Sequence, residues 1–234
     1  MTSNTESART PPARLAEMVV RMLRHEVGDL LQSVYSAVAI LQERLPRGQN
    51  LERTLLGDLR GRAEACKNEL DATHDLLCPM ALQVGWVELS ELAAGLVASF
   101  ALRPSGLQIR CDAPRPVKVW GDAQKLGQIG TLLMLALCQA ARSQILTCVA
   151  CRKPNGEAVW SFSHDGPNAD AEQLRWLNEP FGTTREARFG LGLALARRVV
   201  ELHGGRIEVG ASEVGGFRIA LILPLESTEG IRND

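Results

Sequence analysis

The sequence predicts an α+β protein: a long antiparallel helical hairpin, a four-helix bundle on dimerisation, followed by an α/β sandwich. Three observations carry that reading. Apolar residues recur every three or four positions through two proline-free stretches before Pro79. Beyond Pro79 short alternating runs are interleaved with helical ones. Between two of those runs sits Asn155-Gly156, the strongest short signal for a β-hairpin.

Residues 1–12 are polar, end in Pro11-Pro12 and read as a disordered tail. The hairpin then spans 13–79. In its first helix Leu23, Val27, Leu30, Val34, Ala37 and Leu41 are spaced 4, 3, 4, 3, 4, a heptad seam. Pro46 to Asn50 supplies the turn. In the second helix Leu59, Ala63, Cys66, Leu70, Thr73 and Leu77 repeat the same spacing, and Pro79 ends it. Two helices alone bury little. A partner hairpin in a homodimer is the simplest remedy, and packing against the rest of the chain is the other.

The second domain spans 84–225, with a tail at 226–234. Short strands are expected near Val84–Val87, Leu107–Cys111 and Val117–Trp120. A helix at Ser90–Phe100 and another from Ala123 to about Arg142 separate and follow them. Ile145–Arg152 and Glu157–His164 form the hairpin around Asn155-Gly156. Helices are expected at Asp170–Asn178 and Leu191–His203, the latter stopped by Gly204-Gly205. Arg206–Val209 and Gly216–Leu223 close the sheet, which should be largely antiparallel with helices on one face.

Composition excludes several functions. With 26 basic and 27 acidic side chains the net charge is −1, so no basic field exists for nucleic acid. Aromatics at 4% leave little for base stacking. No apolar run approaches the roughly 18 residues of a membrane helix. The N-terminus lacks the apolar core of a signal peptide, so a cytoplasmic location is expected. The six cysteines read as free thiols. Cys148 and Cys151 form a C-x-x-C, yet on a strand they face opposite sides, which argues against a redox or zinc pair.

Three places carry chemistry. His25 lies two positions from Leu23 and from Val27, about 200° around the helix, and so faces away from the seam. Glu26 beside it is a carboxylate suited to orient an imidazole nucleophile. A lone helical histidine is more often just a solvated side chain. Gly190-Leu191-Gly192 opens a helix after Phe181, Thr183, Thr184 and Arg185, a pattern that lets backbone approach phosphate. Taken singly it is a flexible turn. His164-Asp165-Gly166 is a sharp turn after a strand, and on its own a plain loop.

In this order, over residues 13 to 225, these segments resemble the core of two-component sensor histidine kinases. His25-Glu26-Val27-Gly28-Asp29-Leu30-Leu31 is similar to the family's phospho-acceptor motif. Trp120-Gly121-Asp122 with Leu126-Gly127-Gln128-Ile129 is similar to the entry of its asparagine box. Glu179 to Arg185 resembles the phenylalanine box, and Gly190 to Leu193 the second glycine box. The resemblance implies a dimeric hairpin phosphorylated on His25, with Asp29 and Gln32 facing a partner. It also implies an ATP-binding sandwich of the GHKL type, in which His164, Asp165, Gly166, Phe181, Thr183, Thr184, Arg185, Gly190, Leu191 and Gly192 contact nucleotide. ATP and Mg²⁺ would be its cofactors. A response-regulator receiver domain, and an upstream sensor kinase, would be its partners.

The sequence departs from that family in ways that bear on chemistry. Ala136 stands where the magnesium-binding Asn belongs, and a hard cation wants oxygen ligands. His164 replaces the Asp that accepts the adenine amino proton. Asn168 and Arg188 replace glycines, and Asp29 replaces an Asn or Thr used to position water for dephosphorylation. Three readings follow: an ATP-dependent autokinase, an ATP-independent phosphotransferase between receiver domains, and a non-catalytic pseudokinase adaptor. The two domains account for nearly all 234 residues. Signal input is therefore expected to arrive through other proteins.

Overall fold

The computed structural model describes residues 11–46, 50–101, 108–113, 115–140, 145–166, 170, 172, 174–175, 190–212 and 215–225. They form two compact units, 1–80 and 81–234.

The first unit is a helical hairpin. Helix α1 runs Pro11–Arg44 and α2 runs Asn50–Leu77. The first helix begins two residues before the expected start, taking in Pro11 and Pro12. Proline is tolerated in a first turn, where its missing N–H has no intrahelical partner anyway. The seam between the helices differs from the expected one. Leu31 and Val38 of α1 are buried, with Ala63 and Ala72 of α2. Leu23, Leu30 and Leu41, placed on the heptad seam, are exposed, as are Met18, Met22 and Ile40. The cause is that α1 carries two adjoining apolar stripes, of which only one meets α2. On α2, Leu51, Leu55 and Leu59 are likewise exposed.

The second unit is an α/β sandwich. Its elements run β1 (Gly85–Glu88), α3 (Leu89–Ala101), β2 (Gln108–Asp112), β3 (Lys118–Gly121), α4 (Ala123–Ala140), β4 (Ile145–Arg152), β5 (Glu157–His164), α5 (Gly190–Leu202), β6 (Arg206–Ala211) and β7 (Phe217–Pro224). Strand order in the main sheet is β2-β4-β5-β7-β6. Among the described residues β2 and β4 pair in parallel, and the other pairs of this sheet are antiparallel. β1 and β3 form a separate two-stranded ribbon. The β4–β5 turn has Gly156 at φ 82°, as the Asn-Gly signal requires. Of the helix expected at Asp170–Asn178, a Leu174 N–H to Asp170 C=O bond is present, and most of the segment lies outside the described residues.

Alternation along the strands sorts side chains onto two faces. Leu146, Cys148, Ala150, Trp160, Phe162, Ile219 and Leu221 share one face and are fully buried. The helices cover it with Leu96 and Phe100, with Leu126, Ile129 and Leu133, and with Leu195, Ala196 and Val199. Each large side chain buried there contributes about 1.5–3 kcal/mol. Gly130 of α4 lies against the Trp160 ring, and a Cβ there would sit 2.5 Å from it. The opposite face also has a small buried cluster, Val159, Ala220 and Ile222, with Cys151 packed on it. Cys148 and Cys151 thus do face opposite sides. Burial pushes the Cys148 thiol up to about 12.

Candidate functional site

His25 sits on an open flank of α1, with 79% of its side chain exposed. Its ring Nδ1 lies 3.3 Å from Asp29 Oδ2, one helical turn further on. Residues four apart share a helix face, whereas neighbours in sequence diverge by about 100°. So the carboxylate that reaches the ring is Asp29, where the sequence reading gave that role to Glu26. The contact is an exposed charge pair, with both side chains more than three-quarters open to solvent. Arg24, the residue before, is tied across the hairpin to Asp71 at 2.8 Å. Gln32 is exposed two turns from His25.

In the second unit, the ends of the sheet decide what comes together. Helix α5 turns back through Gly204-Gly205 into β6, and Gly204 takes φ 72°. Gly205 passes so close to Ile222 that a Cβ would lie 2.2 Å from its carbonyl oxygen. That tight return runs α5 antiparallel to β6. The N-terminus of α5, Gly190-Leu191-Gly192, therefore lies toward the end where β5 finishes at His164 and β7 begins at Phe217. Gly192 packs on Leu132 of α4, where a Cβ would approach to 3.3 Å. His164, Asp165 and Gly166 thus share one end of the sandwich with Gly190, Leu191 and Gly192. Phe181, Thr183, Thr184 and Arg185 lie outside the described residues, as do Asn168 and Arg188.

His164 is 5% exposed and shares a sheet face with Trp160 and Phe162. Phe217 meets its ring edge-on, centroids 4.5 Å apart. Gly216, at φ 65°, lets the β6–β7 turn pass over it; a Cβ there would lie 2.6 Å from His164 Cε1. Its Nδ1 accepts the Gly166 N–H at 3.0 Å. Among the described residues its buried Nε2 has no hydrogen-bond partner. Burial holds the ring below the usual histidine range, against a smaller opposing pull from Asp165. A neutral ring that accepts at Nδ1 carries its proton on Nε2. The position that the resemblance gives to an acceptor carboxylate is therefore filled by a buried donor.

A second buried histidine was missed in the sequence. His203 Nε2 accepts the Asp122 N–H at 2.8 Å, and its Nδ1 donates to Val199 O at 2.7 Å. Asp122 caps α4 by accepting the Lys125 N–H, and accepts the Gln83 N–H with its other oxygen. The start of α4 is thereby locked to the end of α5. Gly121 allows the contact, since a Cβ there would sit 2.7 Å from the His203 ring. The signal available in the sequence was the pairing of Trp120-Gly121-Asp122 with His203-Gly204-Gly205.

The magnesium position reads differently. Ala136 is 5% exposed and offers no oxygen. Among the described residues no three His, Cys, Asp or Glu side chains group as metal ligands. The residues present do not fit a magnesium ion held from α4.

Comparison with known proteins agrees with this architecture. Residues 121–227 match the family model for histidine kinase-, DNA gyrase B-, and HSP90-like ATPases. The sensor histidine kinase ZraS of Escherichia coli O157:H7 is 27% identical over 208 residues, covering 87% of this chain and 45% of that protein. The signal transduction histidine-protein kinase BaeS of Escherichia coli K12 is 26% identical over 224 residues, covering 88% of this chain and 48% of that one. The chain thus spans less than half the length of these relatives. Among solved structures, full-length ShkA in complex with AMPPNP superposes with a TM-score of 0.66 at 19% identity, covering 92% of this chain and 47% of that one. At that identity the likeness speaks for the fold. Residues 121–227 are thus similar to the histidine kinase-, DNA gyrase B-, and HSP90-like ATPases, and most of the chain is similar to the core of sensor histidine kinases.

Proposed function

We propose that this chain is a histidine kinase core that takes a phosphoryl group on His25 Nε2 and passes it to a response-regulator aspartate. The observation that carries the reading is the His25–Asp29 pair on an exposed helix flank. Asp29, 3.3 Å from Nδ1, is placed to accept Nδ1–H and to offset the positive charge that grows on the ring as Nε2 attacks phosphorus in line and the bond to the donor's leaving oxygen breaks. A bound nucleotide, ATP in the family's usual form, would supply the phosphoryl group. In the second unit, the backbone N–H groups that open α5 are suited to its phosphates.

The exposed Leu23, Leu30 and Leu41 support a homodimer, in which a second hairpin covers the stripe that α2 leaves open. A cytoplasmic setting is part of this reading. Among the described residues no helix is long and apolar enough to cross a membrane.

A second reading is favoured by one pair of observations. Ala136 offers magnesium nothing, and His164 offers adenine a donor where its amino group needs an acceptor. An ATP-independent phosphotransferase between receiver domains would tolerate both. One experiment separates the readings. The purified chain is incubated with γ-labelled ATP and Mg²⁺, and separately with a phosphorylated receiver domain. Label from ATP supports the autokinase. Label from the receiver alone supports the phosphotransferase, and label from neither leaves the adaptor.

A further inference from the structure

Two of the cysteines meet across the sheet. Strand β2 pairs in parallel with β4, and the register sets Cys111 directly opposite Cys148. Neighbouring strands lie about 4.8 Å apart, within the range of about 4.4–6.8 Å between the Cα atoms of a disulfide. Residues in register point to the same face, here the one that carries Leu146 and Ala150. The thiols also feel each other, since charge on Cys111 raises the Cys148 thiol. Their surroundings differ. Cys148 is fully buried, and its sulfur accepts the Trp160 Nε1–H at 3.2 Å. Cys111 lies on the edge strand of the sheet and is exposed. Cys151 packs on the opposite face and is out of reach of both.

We propose that Cys111 and Cys148 form a reversible disulfide under peroxide, a redox staple that fastens the edge strand β2 to the middle of the sheet. The exposed Cys111 reacts first. Its sulfur bonds to one peroxide oxygen, the O–O bond breaks, and water leaves with the thiol proton, giving a sulfenic acid. The Cys148 sulfur then attacks the Cys111 sulfur. The S–S bond forms, the S–O bond breaks, and a second water leaves with the Cys148 proton. Both thiols are oxidised and one peroxide is reduced to two waters. Neither thiol is a fast nucleophile. Partial burial and the Asp112 carboxylate raise Cys111, and burial holds Cys148 far above the usual thiol range. The pair therefore answers sustained rather than brief exposure to peroxide. The bond closes a loop that contains β3 and all of α4, which restricts the unfolded chain and stabilises the second unit. This holds whichever phosphoryl donor serves His25.

The test is peroxide treatment of the full-length chain, thiol alkylation, and mass-spectrometric mapping of the non-reduced digest. A peptide pair joined through Cys111 and Cys148 is expected, lost on reduction with dithiothreitol. Its formation should accelerate about tenfold from pH 7 to pH 8, following the Cys111 thiolate fraction. Trp160 fluorescence should fall as the disulfide forms, and the thermal midpoint should rise. Cys111→Ser should abolish the pair and both shifts, and it alters an exposed side chain, so the variant folds by circular dichroism. Cys148→Ala should leave a Cys111 sulfenic acid that dimedone traps. No Cys111–Cys148 pair in the oxidised wild type, or Cys148 pairing instead with another cysteine, would overturn the proposal. Fluorescence and melting shifts that persist in the folded Cys111→Ser variant would overturn it as well.

Discussion

At the scale of single residues, Asp29 and His203 do different kinds of work. Asp29 acts on His25 through an exposed contact, and such pairs are worth about 0–1 kcal/mol. Asp29→Ala is expected to slow His25 labelling by no more than about fivefold. It should also lower the Nδ1–H tautomer population of His25 in nitrogen NMR, a readout that a merely structural role would not move. His203 is structural and sensitive to shape. Gly121→Ala drives a Cβ into its ring and should cost about 1–3 kcal/mol in denaturant unfolding. Burial holds His203 below its ordinary value of 6.5, with smaller opposing effects from Val199 and Asp122. Between the two values the unfolded chain binds more protons than the folded one. Stability of the second unit should therefore be full above about pH 6.5 and decline as pH falls below it. A thermal melt across pH 5 to 8 that is flat, or that rises toward acid, would contradict this. His203 was hard to find from the sequence because its partner, the Asp122 backbone, is 81 residues away. Nothing local distinguishes it from a histidine at a helix end.

At the scale of elements, strand and helix identity was legible and side-chain facing was less so. β4 and β5 begin and end where alternation and the Asn155-Gly156 turn place them. The hairpin seam was misplaced because spacing reports that a stripe is apolar, not which neighbour it meets. Val27 and Val34 belong to the predicted stripe, while Leu31 and Val38 form the one that is buried. The two stripes give opposite expectations. Leu31→Ala should cost the hairpin about 2–5 kcal/mol in unfolding. Leu23→Ser with Leu30→Ser should leave the helix content of the hairpin intact and shift sedimentation toward a monomer. A chain that stays dimeric with both serines would remove the stripe from the dimer interface. The candidate site divides the same way. The glycines that open α5 and the His164-Asp165-Gly166 turn could be read as motifs. The tautomer of His164 could not, because it follows from Gly166 and Gly216 folding onto the ring.

For the whole molecule, both units combine resemblance with departure. The hairpin keeps an exposed His25 with a carboxylate on its Nδ1. The sandwich keeps the fold and the glycine-led helix α5, but it holds Ala136 and His164 where oxygen acceptors are usual. The chain's central claim is accordingly about His25 and not about one donor. The most direct measurement is mass-spectrometric mapping of the phosphorylated residue after incubation of the full chain with each donor in turn. The account predicts an acid-labile, alkali-stable phosphoryl group on His25, absent from a folded His25→Ala variant. Phosphorylation that persists in that variant, or a wild-type chain that no donor labels, would contradict it.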